Sequence, residues 1–173
     1  MKLKENRNKE IKNDTFSNIN ELKEEYEKLR KIYHLPEFSE LNKLFDIEEV
    51  DIETEFLLRK IRRLISERIA NYIRFIEIIL NPSNAPIFFF KLNKKLDISD
   101  RESLTKLYES LGFFEINALS LDVDYSESKE ADFILKSYNL FNNDIKVKLL
   151  DLIKKLENGE NNFKKDNNGC YFG

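Results

Sequence analysis

Residues 52–81, IETEFLLRKIRRLISERIANYIRFIEIILN, hold the pattern that decides the fold. Projected at about 100° per residue, Leu57, Ile61, Leu64, Ile65, Tyr72, Phe75, Ile76 and Ile79 fall on one side, which predicts a long amphipathic helix. The segment Asp46–Glu55 ahead of it holds six acids and no base. Acids there complement the positive end of the helix dipole, each worth about 0.3–1 kcal/mol. Pro82 ends the helix, because the residue before a proline is steered away from helical geometry.

Upstream, Ile19, Leu22, Tyr26, Leu29 and Tyr33 recur at steps of three and four and predict a helix over about 16–34, with Asn18 and Glu21 as a capping pair. Pro36 then opens a short helix carrying Phe38, Leu41, Leu44 and Phe45. Downstream, 81–86 is a turn, and the run from Ile87 to Leu92 reads as a helix, since no second strand is offered for pairing. Ser99-Asp100-Arg101-Glu102 is a capping box that starts a helix running to about Leu121. The last helix starts at Asp124 or Ser126. Its face carries Ala131, Ile134, Tyr138, Phe141, Ile145, Leu149, Leu152 and Leu156, and Asn142-Asn143-Asp144 is expected to interrupt or kink it. With only 4 Gly and 3 Pro in 173 residues, a turn-rich β fold is disfavoured. The expectation is all-α: a compact bundle of about five to six helices in one domain over 16–157. A flexible arm (1–15) and a disordered tail (158–173) flank it.

Two groups of polar residues stand out. Arg68 falls near the centre of the long helix's apolar stripe, and Glu115 falls on the stripe of the following helix, as does Asp122 if that helix persists. An unpaired core charge costs several kcal/mol, so a buried ion pair of Arg68 with Glu115 or Asp122 is expected. Arg68→Ala should then cost several kcal/mol. A polar ligand pocket around the same three residues is the functional alternative. Second, five of the eight arginines lie between Arg59 and Arg74. Arg59, Arg62, Arg63 and Arg74 share an arc of about 120° with the small residues Ser66 and Ala70 between them, a seat for a phosphate chain or an acidic helix. The internal reading sets acids of the first helix or of Asp46–Glu55 across these arginines. A net charge of −3 opposes polyanion binding by the chain as a whole.

Motifs for chemistry are missing. There is no Walker loop, GxGxxG or GxSxG. The one histidine, His34, sits in a turn, and the one cysteine, Cys170, is four from the end with followers that do not suit prenylation. No cofactor or metal site is expected. The N-terminal residues lack a secretory apolar region and no run is long enough to span a membrane, so a cytoplasmic setting is expected. The function read from the sequence is a non-enzymatic interaction protein, an adaptor or assembly subunit, whose partner is another protein or a second copy. Ile87, Phe88, Phe89 and Phe90 form the apolar partner patch. An RNA- or ribosome-associated factor using the arginine face is the first alternative, and a ligand-binding or enzymatic bundle around Arg68, Glu115 and Asp122 the second.

Overall fold

The structure, a computed structural model, describes residues 19–50, 56–84 and 86–166. It is all-α, with no strand among the described residues. The expected arm over 1–15, the cap at Asn18, the acids of 51–55, and Cys170 lie outside them. In chain order the helices are α1 (19–33), α2 (Phe38–Phe45), α3 (Leu57–Leu80), α4 (Ile87–Asn93), α5 (Ile98–Val123), α6 (Glu127–Leu140) and α7 (Lys146–Asp166). No described helix is long and apolar enough to cross a membrane.

Contacts group the chain into two units. The first takes the described residues up to Glu67 together with Asn117–Tyr138, and the second takes Arg68–Ile116 and the described residues from Asn139 onward. Tyr26, Phe45, Ile61 and Phe133 are among the fully buried side chains of the first unit. Ile76, Ile79, Leu111 and Ile145 are among those of the second.

In the first unit, Leu22 and Tyr26 of α1 are buried as their spacing requires. The Tyr26 hydroxyl donates to the Pro36 carbonyl at 2.8 Å, and its ring meets Phe38 edge-on at 5.5 Å. Burial holds the phenol well above its usual range. His34 ends α1. Its φ of 54° is left-handed, and the Leu35 amide donates back to the Arg30 carbonyl at 3.3 Å, the six-to-one bond of a Schellman cap. The only histidine therefore has a backbone task at an exposed position. A β-carbon in this region costs about 1 kcal/mol, which glycine escapes. His34→Gly is expected to raise stability by up to about 1 kcal/mol, read as a higher urea midpoint with an unchanged slope.

The buried line of α3 is Leu58, Ile61, Ile65, Ile69, Ile76 and Ile79. It is rotated by about 50° from the stripe read in the sequence, and Leu64, Tyr72 and Phe75 are only half-buried. Apolar residues cover more than half of this helix's circumference, so several phases bury similar area and the neighbouring helices choose among them.

In the second unit, α4 is helical, as the lack of a pairing strand implied. Asn93 at its end is 7% exposed; its amide donates to the Ile79 carbonyl at the end of α3. Arg101 Nη2 of α5 donates to the Asn93 backbone carbonyl at 2.8 Å and to its side-chain oxygen. The cap of α5 lies two residues earlier than expected. The Asp100 amide donates to the Asp97 carboxylate at 2.8 Å, and the Asp97 amide to the Asp100 carboxylate at 3.3 Å. Asp97 and Asp100 have the same three-residue spacing as Ser99 and Glu102, and an aspartate caps as well as a serine. Gly112 does not break α5, which continues to Val123.

Phe141–Ile145 forms a π-helical turn between α6 and α7, where Asn142-Asn143-Asp144 was expected to interrupt the helix. The wider turn keeps Ile134, Phe141, Ile145, Leu149 and Leu152 all buried. α7 runs to Asp166, into the region 158–173 read as a tail without structure. Extending an existing helix costs far less than starting one, so its polar composition is no barrier.

Candidate functional site

The densest cluster of charge lies in the first unit, where the first turns of α3 meet the end of α5 and the start of α6. Arg62 is 1% exposed and Glu130 is 0% exposed. Arg62 Nε donates to Glu130 Oε2 at 2.9 Å, while Nη2 and Nη1 donate to the two carboxylate oxygens of Asp122 at 2.6 and 3.3 Å. One planar guanidinium thus serves two carboxylates, which the ammonium of a lysine would do less well. Arg63 Nη2 donates to Asp122 Oδ1 at 3.2 Å from the solvent side. Arg59 Nη2 donates to the Asp122 backbone carbonyl at 3.1 Å, and its guanidinium lies 5.2 Å from the centre of the Tyr125 ring. The Phe56 ring meets that of Tyr125 in a T-shaped arrangement, with centroids 5.0 Å apart.

Local sequence explains each position. Glu130 stands in the first turn of α6, where a carboxylate is favoured by the helix dipole. Asp122 stands at the end of α5, where the dipole is unfavourable, and needs its arginines. Hydrogen bonds from Arg62, then the charges of Arg62 and Arg63, hold the Asp122 carboxyl down at about 2 despite some desolvation. Burial works against the charge on Arg62, but Asp122 and Glu130 outweigh it and its pKa is raised.

At neutral pH the cluster therefore holds an ionised Asp122 and a protonated Arg62. Its geometry is that of a latch tying α3 to the α5–α6 junction. Among the described residues no group of His, Cys, Asp and Glu is placed to hold a metal ion. A groove of about 510 Å³ in the first unit is lined by Glu21, Leu22, Glu25, Phe56, Tyr125 and Glu127. Another of about 410 Å³ in the second unit lies among Ser99, Ser103, Lys148, Asp151, Lys154 and Lys155.

Asp122 makes stability depend on acid pH. Its folded pKa of about 2 lies below the unfolded value of about 3.9, so its contribution is complete above about pH 5 and is lost as pH falls through 2. The side chain is 38% exposed, and screening reduces the contribution to about 1 kcal/mol. Urea titrations of wild type and Asp122→Asn should differ by that amount at pH 6 and converge near pH 1.5.

The sequence reading put Arg62 on an arginine face, either open to a partner or paired internally with acids of α1 or Asp46–Glu55, and Arg68 near the centre of the apolar stripe. The arginine that is fully buried is Arg62, because the buried line of α3 is rotated towards it. Arg68 and Glu115 are both half-buried. Asp122 does receive arginines, namely Arg62 and Arg63. Of the expected anion face, Arg59 and Arg62 are engaged internally, Arg63 is 58% exposed while touching Asp122, and Arg74 bonds Asn71 at 3.4 Å. Ser66 and Ala70 are half-buried, and the Ser66 hydroxyl has no hydrogen-bond partner among the described residues. Among the described residues, the acids that Arg59, Arg62 and Arg63 meet are Asp122 and Glu130. Glu130 was missed, although extending the Ile134–Phe141 face back one turn lands on it. In the proposed apolar patch, Ile87 is 75% and Phe90 47% exposed, and Phe89 is half-buried. The Phe88 side chain lies outside the described residues.

No family model matches this chain, and neither a curated protein nor a solved structure is similar to it.

Proposed function

We propose that the protein works by binding another protein, as a non-enzymatic adaptor or assembly subunit in a cytoplasmic setting. The observation that carries this reading is on α5. Phe113, Ile116, Leu119 and Val123 are 72%, 65%, 63% and 90% exposed and lie on one side of the helix. Scattered apolar residues on a surface are ordinary, but a contiguous uncharged row along a helix is the kind of surface a partner covers. The engagement of Arg59, Arg62 and Arg63 with Asp122 and Glu130 weighs against the phosphate-binding alternative, since a phosphate would have to compete with acceptors inside the chain for these guanidiniums. The test is affinity capture of the full tagged chain from its native lysate, with and without RNase. Stoichiometric protein partners that survive RNase support the reading. Partners that vanish with RNase sink it in favour of a nucleic-acid-associated factor.

A further inference from the structure

Helix α5 is apolar on two opposite sides over its C-terminal half. Leu107, Leu111, Ala118 and Leu121 are the buried side. Phe113, Ile116, Leu119 and Val123, at steps of three, three and four, lie about 150° away and point to solvent. The surface between them is contributed by Gly112 and Ser120, and a β-carbon built on Gly112 meets nothing within 4 Å. Glycine in a helix interior is unfavourable by about 1 kcal/mol relative to alanine, and no neighbour among the described residues requires it here.

We propose that this face of α5 is covered by the same face of a second copy of the chain, forming a two-fold symmetric dimer. This deepens the interaction reading above and rests on it. Three observations favour a second copy over another partner. The chain carries a net charge of −3, so copies repel each other except where a surface bears no charge, and no acid or base lies within the row from Gly112 to Leu119 on this side. A two-fold interface must be self-complementary, and an antiparallel pairing centred between Ile116 and Leu119 sets those two against each other and the bulky Phe113 end against the smaller Ser120–Val123 end. The four side chains expose on the order of 500 Å² per copy. Two copies would therefore bury about 1,000 Å² in total, the threshold for a specific interface.

Sedimentation velocity of the full chain between about 1 and 100 µM tests this. The expected wild-type species at the upper concentrations has twice the 20.7 kDa chain mass. Ile116→Glu combined with Leu119→Glu, and separately Val123→Lys, should weaken dimerisation by at least about 100-fold while leaving the helical circular dichroism unchanged, since all three positions are solvent-exposed. Leu150→Glu on the outward side of α7 should leave the mass unaltered. A wild type that stays monomeric throughout, or folded α5 variants that remain dimeric, or a Leu150→Glu variant that alone abolishes the dimer, overturns the proposal. A monomer that still captures other proteins leaves the interaction reading standing without the second copy; a monomer that captures nothing overturns both.

Discussion

Glu130→Ala is expected to lower stability by about 3–5 kcal/mol, a large part of what a domain of this size has to lose. The reason is asymmetric. Glu130 is 0% exposed and its only described partner is Arg62, itself 1% exposed. Removing the carboxylate leaves a buried guanidinium that only Asp122, on its solvent side, can answer. Arg62→Ala should cost a similar amount by stranding Glu130, and more than Arg68→Ala, because Arg68 is only half-buried. Replacing both partners by apolar residues of similar volume, Arg62→Met with Glu130→Leu, removes both desolvation penalties together. That pair should restore stability to within about 1 kcal/mol of wild type or exceed it. Urea denaturation of the four proteins reads this out. A double variant as unstable as the sum of the singles would show that packing around the pair, and not charge burial, sets the cost.

Asn93→Ala should cost about 2–3 kcal/mol, the largest effect expected outside the arginine latch. Asn93 joins three helices through one side chain: it donates to the end of α3 and accepts from Arg101 of α5 while ending α4 itself. Alanine leaves the Ile79 carbonyl without this donor and the half-buried Arg101 without one of its two described acceptors, at a position only 7% exposed. Arg101→Ala should cost less, about 1 kcal/mol, because Asn93 keeps its bond to Ile79. The two changes share one network, so the double variant should be milder than their sum by at least about 0.5 kcal/mol.

The two networks differ in how far they could be read in advance. The sequence reading did not single out Asn93: its bond to Arg101 spans eight residues across a loop, and its acceptor on Ile79, fourteen residues away, belongs to the tertiary fold. For the arginine latch, the sequence reading expected Arg68 to meet Glu115 or Asp122, and it set Arg59, Arg62, Arg63 and Arg74 towards acids of α1 or of Asp46–Glu55, or towards an outside partner. It chose Arg68 over Arg62 because helical projection assumes that the apolar stripe is the buried stripe. On α3 that assumption fails: isoleucines and leucines occupy so much of the circumference that a rotation of about 50° changes little apolar area while exchanging which arginine goes inside. The capping error at α5 has the same character. Two acids and a serine–glutamate pair compete within six residues, and the chain entering from Leu96 decides between them.

The sequence alone determined what depends on near neighbours along the chain. The all-α class, the order of the helices, the stop at Pro82 and the interruption at Asn142–Asp144 follow from periodicities and breakers acting over a few residues. The tertiary structure alone decided the rotation of each helix about its axis, and with it the inward turn of Arg62, the recruitment of Glu130 and the outward row on α5. Those depend on which of several nearly equal apolar faces finds a neighbour, and that is settled between segments sixty or more residues apart.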